Sequence, residues 1–230
     1  MFIKRCRFCN SPIRVPASLC PDCRKTADSE KFDSFTERCP VCSMPLVSLE
    51  YRCPRCSSDS ALKIYSIYDY RSPFFRHILE QWKFEGRRSH TSLIAEEFLC
   101  ALKKLYEDMS FVVLVPVPCS KQSLKKRKWD QMKDVCLYLK RKHGIRCAFL
   151  IDNNASSSVQ QKVLDRKQRI NASEDRYLLN AGTAEKADRK GLYVVMDDIT
   201  TTGSTIKSCV KLLRNSGFIT GTAVTLMAEI

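Results

Sequence analysis

The chain lacks any apolar run approaching the roughly 18 residues that a membrane-spanning helix requires. Its opening stretch, Met1 to Asn10, also lacks the uninterrupted apolar core of a secretory signal and carries charges and two cysteines instead. The expectation is a soluble, cytoplasmic protein without membrane insertion. Acidic residues are scarce beside basic ones, 25 against 39, so the formal charge is +14 and a polyanionic partner is expected. Residues 1–60 lack regular hydrophobic periods as well, and such a segment does not build an adequate core alone. What that segment holds instead is cysteine.

Eight of the 13 cysteines fall in C-x-x-C pairs. Cys6 and Cys9 are followed ten residues later by Cys20 and Cys23, and the same spacing recurs in Cys39, Cys42, Cys53 and Cys56. In a reducing compartment such pairs read as metal ligands rather than disulfides. Four thiolates at this spacing match a closed tetrahedral zinc site, structural rather than catalytic, which supplies the folding energy that a small core cannot. Sequential pairing gives two sites, Cys6, Cys9, Cys20, Cys23 and Cys39, Cys42, Cys53, Cys56. Interleaved pairing is the alternative, and a redox dithiol is the competing chemistry. With two zinc sites, each adding −4 from sulfur and +2 from metal, the charge falls from +14 to +10. The other five cysteines, Cys100, Cys119, Cys136, Cys147 and Cys209, sit mostly in apolar patterns and read as inert core thiols, with Cys119 the exception.

Residues 61–230 change character. Leu62 to Tyr68 reads as a strand, Pro73 to Phe84 and Ser92 to Tyr106 as helices, Phe111 to Val115 as a buried strand, and Gln131 to Arg141 as a helix. Arg146 to Leu150 and Leu192 to Met196 follow as strands, then Thr205 to Asn215 as a helix and Thr220 to Met227 as a closing strand. Strands alternating with helices imply an α/β domain, a parallel sheet flanked by helices, behind a small zinc-binding module at 1–60. Ligands of such sheets sit beyond the carboxyl ends of the strands.

One segment occupies that position with the right chemistry. The apolar strand ending at Met196 leads into Asp197 and Asp198, then Ile199, and then Thr200, Thr201, Thr202, Gly203, Ser204 and Thr205 at the head of a helix. Unpaired backbone N–H groups at a helix start favour a phosphate, and Gly203 lets the backbone come close to it. Side chains alternate across a strand, so both carboxylates face one ligand only if the strand has ended at Met196. Two carboxylates beside a phosphate cradle suit a sugar phosphate, because they accept from vicinal hydroxyls and stabilise a cationic ring. An ordinary strand-end turn with an N-cap is the competing reading.

Two further segments surround it. Pro116, Val117 and Pro118 leave the buried strand and lead into Lys121 and a basic run through Lys128; from Lys121 to Arg146 there are ten Lys or Arg against two Asp. Cations there suit a departing pyrophosphate or, with Trp82 and Trp129 as stacking surfaces, single-stranded DNA. A solvated helix face is the plain alternative. Gln160 to Asn171 reads as a mobile lid that brings Arg166 or Arg169 to the ligand, or else as a solvated amphipathic helix.

The string from Leu192 to Thr205 resembles the phosphoribosyl pyrophosphate signature of type I phosphoribosyltransferases. With the paired cysteines, the segment Tyr70 to Arg88 and Val115-Pro-Val-Pro118, it is similar in order to the ComF (competence protein F) family over nearly the whole chain. Where that family usually has Arg-Gly-Phe-Asn-Gln, this sequence has Arg127-Lys-Trp-Asp-Gln131. The resemblance implies a type I phosphoribosyltransferase-like fold and binding of phosphoribosyl pyrophosphate with Mg2+ at Asp197, Asp198 and Thr200 to Thr205. It also implies a link to natural transformation, with DNA-uptake or recombination proteins as partners and an acceptor that it does not name.

Overall fold

Five strands define the carrying sheet, and its central members are apolar on both faces over most of their length. They lie in the order β5 (Ile64–Asp69), β12 (Ala223–Ala228), β10 (Leu192–Thr200), β6 (Val112–Pro116) and β7 (Arg146–Cys147), with β11 (Ile219–Thr220) also paired to β10. All these pairings are parallel. Every residue of β5, β6 and β12 is buried, as expected for parallel strands covered by helices on both sides. The computed structural model describes residues 4–14, 17–34, 37–39, 43, 45–46, 62–154 and 176–229. None of its described helices is long and apolar enough to cross a membrane.

Helices α2 (Pro73–Phe84), α3 (Thr91–Leu105) and α5 (Gln131–His143) cover one face of the sheet, and α7 (Ser204–Asn215) covers the other. Helix α2 begins with proline in its first turn, where the missing N–H costs nothing, and buries Phe74, Phe75, Ile78, Leu79 and Trp82 at helical spacing. Helix α5 is capped by Asp130, whose carboxylate accepts from Lys133 N at 3.0 Å, and ends on Gly144 at φ 71°. Alternation along β10 splits the core in two. Val194 and Met196 pack with α2, α3 and α5, while Tyr193 and Val195 pack with α7.

The cysteine repeat is also a repeat of backbone. In β1 (Lys4–Arg5) and β2 (Pro12–Ile13) Arg5 pairs with Pro12; in β3 (Glu37–Arg38) and β4 (Pro45–Leu46) Arg38 pairs with Pro45, the same offset from the first cysteine. Asn10 N donates to Cys6 O at 3.1 Å and Ser43 N to Cys39 O at 2.9 Å, with φ of 63° and 61° at the two donors.

The first unit does not stand apart from the sheet. Cys6, Leu19, Cys20, Cys23 and Ala27, the latter two from α1 (Pro21–Ser29), join the apolar cluster of α2 and α3, and Phe8 stacks on Phe74 at 4.1 Å. Glu30 supplies the cap that α2 lacks locally, accepting from Phe74 N at 3.1 Å and Phe75 N at 3.4 Å. Glu97, 1% exposed, binds Arg24 at 2.5 Å, Lys31 at 3.0 Å and the Tyr68 hydroxyl at 2.8 Å. The residues expected to lack a core therefore borrow one.

Candidate functional site

The site arises from a mismatch in strand length. Strand β6 stops at Pro116 opposite Met196, and Val117 N donates to Met196 O at 2.8 Å before the chain turns away. Strand β12 runs on, pairing Asp197 with Thr225 and Thr200 with Ala228. Expected to end at Met196, β10 instead continues to Thr200, because β12 still supplies partners on one side. From Asp197 onward its other edge borders a notch.

The longer strand sends the two carboxylates in different directions, as alternation requires. Asp198 turns toward α2 and pairs with Lys83 Nζ at 2.7 Å. Asp197 sits on the opposite side, within electrostatic reach of Tyr177 and Cys209. Both nevertheless open on one cleft of about 220 Å³ past the end of β6. Lys83, Val117, Pro118, Arg127, Gln131, Arg176, Tyr177 and Thr205 also line it. Burial, then the neighbouring Asp198 carboxylate, hold Asp197's carboxyl well above the usual carboxylate range, while Lys83 and Arg176 pull it back. Its own Oδ1 accepts from Asp198 N at 2.9 Å.

The hydroxyl-rich turn follows at the edge of the cleft. Thr201, Thr202 and Ser204 are exposed, and Ser204 N makes one long bond, 3.3 Å, to Thr202 Oγ1. Gly203 precedes α7 at φ 75°, a conformation L side chains rarely adopt, and a Cβ there would lie 3.0 Å from Ile64 Cδ1. Thr200 is buried, and its Oγ1 has no partner among the described residues.

Of the residues singled out from sequence, Asp197, Asp198, Val117, Pro118 and Thr205 meet in the cleft. Pro116 lies behind it as the last residue of β6, and Lys121 is exposed at the start of α4 (Lys121–Arg127) without lining it. Arg166 and Arg169, with the segment read as a lid, lie outside the described residues. Cys119 is half-buried in the cleft wall, where burial and then Asp130 push its thiol up, so it is not an activated nucleophile. Cys136 and Cys209 are buried as expected; Cys100 is exposed on α3, because it falls on that helix's outer face. Trp82 and Trp129 are 0% and 6% exposed, which removes them as stacking surfaces. Sequence reasoning missed Lys83, Tyr177 and the cleft role of Gln131. Lys83 precedes Asp198 by more than a hundred residues, so no local signal joins them.

The second cluster is the metal-ligating one. The thiols of Cys6, Cys9, Cys20 and Cys23 lie within 4.8 Å of one another, which settles sequential pairing for this set. Cys9 Sγ lies 3.6 Å from Cys20 Sγ, and Cys20 N donates to Cys6 Sγ at 3.3 Å. Hydrogen bonds from the Ser11 hydroxyl and amide lower Cys9 to about 6, whereas burial and adjoining sulfurs raise Cys23. A divalent cation removes that conflict, and four soft sulfurs in a closed set fit zinc. Cys39 is buried in the second hairpin, and Cys42, Cys53 and Cys56, expected to share a site with it, lie outside the described residues. A scan against protein-family models found none that matches this chain, and a search of curated proteins found no match either.

Proposed function

We propose that the protein binds phosphoribosyl pyrophosphate in the notch beside β10 and acts as a type I phosphoribosyltransferase of the ComF kind. One observation carries this: Asp197 and Asp198, near the end of β10, and Thr205, in the first turn of the helix that follows, line one cleft at the carboxyl end of a parallel sheet. Asp197 and Asp198 approach from opposite faces of the strand, so they accept from the two adjacent ribose hydroxyls and flank the ring as positive charge develops at C1. The turn from Thr201 to Thr205 receives the 5-phosphate at the head of α7, a helix long enough to present its N–H groups. Arg176, which lines the cleft near Asp197, supplies a cation for the departing pyrophosphate. The carboxylate pair, balanced only in part by Lys83, would hold a divalent ion such as Mg2+, which would supply positive charge against the pyrophosphate.

The ComF resemblance assigns this chemistry to the cytoplasm and to DNA uptake during natural transformation. A second reading, non-catalytic binding of single-stranded DNA, is favoured by α4, which buries none of its residues and exposes Lys121, Lys125 and Lys126. A salt titration separates it: DNA affinity that does not weaken with salt, or is unchanged by charge reversal at Lys125 and Lys126, counts against that reading. For the main proposal, calorimetric titration with phosphoribosyl pyrophosphate and Mg2+ compares the native chain with Asp197→Ala/Asp198→Ala. The native chain binds and the double variant does not; equal affinity in both removes the assignment.

A further inference from the structure

Beside the cleft lies a larger groove of about 490 Å³, between the end of α2 with its following turn and α4. Its volume falls within the ~300–1,000 Å³ typical of small-molecule sites. Lys83, Ser123 and Arg127 line both spaces, so the groove adjoins the cleft that holds the carboxylates. Its chemistry differs from that of the cleft. Phe84 stands 68% exposed on its wall, an unusual position for a phenyl ring, and the Arg127 guanidinium lies over that ring at 5.4 Å. Trp129, 6% exposed, also lines it.

Charge is one-sided. Lys83, Lys126 and Arg127 line the groove against a single acid, Glu85, which is already paired with Arg87 at 3.1 Å. At the junction with the cleft, Gln131 is 3% exposed, and its Oε1 accepts from Arg127 at 3.1 Å. That bond fixes the amide orientation and leaves Nε2 as a buried donor without a partner among the described residues. Buried donors of this kind are rare unless something fills them, and a carboxylate oxygen does so.

We propose that the groove seats the acceptor of the phosphoribosyl group, and that this acceptor is a flat aromatic molecule bearing an acidic substituent. The proposal rests on the phosphoribosyl reading above. The ring lies on Phe84, its acid group meets Arg127 and the Gln131 amide, and its nucleophilic nitrogen points past Lys83 to C1. The nitrogen lone pair forms the new bond to C1 as the C1–O bond breaks with its electron pair on pyrophosphate. The proton displaced from nitrogen goes to solvent water.

The test uses 2-aminobenzoate as the probe, with aniline and cyclohexanecarboxylate as controls lacking the acid and the flat ring. Ligand-observed NMR titrations of the full chain, with zinc retained, give the affinities, and calorimetry on the same samples gives the affinity for phosphoribosyl pyrophosphate with Mg2+. Binding of 2-aminobenzoate is expected to be about tenfold tighter than that of either control and to fall about tenfold in Phe84→Ala and severalfold in Lys126→Glu. Both positions are exposed, so the fold tolerates these changes. If phosphoribosyl pyrophosphate binds but the three probes behave alike, or Phe84→Ala binds 2-aminobenzoate as tightly as the native chain, the groove assignment is overturned and the ribose site stands. If 2-aminobenzoate binds through Phe84 while phosphoribosyl pyrophosphate does not bind at all, the phosphoribosyl reading fails and the acceptor role falls with it.

Discussion

Replacing Lys83 with methionine removes the one lysine among the described residues that pairs with Asp198 and keeps the aliphatic stem of the side chain. The pair is short, 2.7 Å, and both side chains are largely enclosed, 12% and 17% exposed. At this separation and an effective dielectric near 20, the attraction is about 6 kcal/mol, most of it offset by the cost of desolvating both ions. Breaking a buried pair by deleting one partner typically costs about 3–5 kcal/mol, and the residual exposure here brings the expectation to about 2–4. For a chain of this size that lowers the melting temperature by roughly 5–12 °C. Asp198→Asn in the same background removes the stranded charge, so the double variant regains part of the loss, with a coupling energy of about 1.5–3 kcal/mol. Urea unfolding of the native chain, both single variants and the double variant, with zinc saturating, measures it. A coupling below about 0.5 kcal/mol would show that the pair is held by its surroundings rather than holding them, and would refute the reasoning. Lys83 also lowers the Asp197 carboxyl. Its loss therefore moves the onset of phosphoribosyl pyrophosphate binding to higher pH.

Three other outcomes follow from the same geometry. Asp197 has its folded pKa raised, so the native chain keeps a proton that the unfolded chain has released, and stability falls as pH rises from about 4 through the folded value. Asp197→Asn should flatten that fall and raise the urea midpoint at neutral pH while abolishing ligand binding; an unchanged pH slope contradicts the assignment. Metal analysis should find two zinc ions per chain, one of them lost in Cys20→Ser, since the two hairpins share their register; a single ion in the native chain rules out the second site. Glu97→Gln leaves Arg24 and Lys31, both part-exposed, with Asp28 in place of their buried anion, at a cost of about 1–3 kcal/mol, and should render α1 susceptible to limited proteolysis; resistance equal to the native chain's would show that apolar packing alone docks the cysteine unit.

Where local rules and tertiary packing agree, the sequence sufficed. Helix α2 lies at Pro73–Phe84 as its period predicts, because proline marks the start and the apolar stripe is unbroken. The hydroxyl-rich turn before α7 is legible too, since Gly203 and the hydroxyl run are consecutive residues. The end of β10 was not legible. Asp197 to Thr200 is polar, and only the adjacent β12 keeps it extended. The basic run after Pro118 has no apolar stripe, so the sequence leaves a ligand-binding loop and a solvated helix face both open; it is helical as α4, on the N-cap from Ser120, whose hydroxyl accepts from Ser123 N at 3.0 Å. Arg146 to Leu150 reads as one strand, but its pairing with β6 covers only Arg146 and Cys147, and the chain goes on to an antiparallel pair of Ile151–Asn153 with Tyr177–Leu179. The Lys83–Asp198 contact and the exposure of Phe84 are products of the assembled fold. Periodicity assigns Phe84 to a helix end and says nothing of what lies beyond it.

The most direct measurement of the central claim is the amide NMR spectrum of the chain on titration with ribose 5-phosphate. A sugar phosphate held as described shifts the amides of Thr201 to Thr205 and of Asp197 and Asp198, and these shifts vanish in Asp197→Ala/Asp198→Ala. Saturating ligand that leaves those amides in place, or that perturbs α4 alone, contradicts the account.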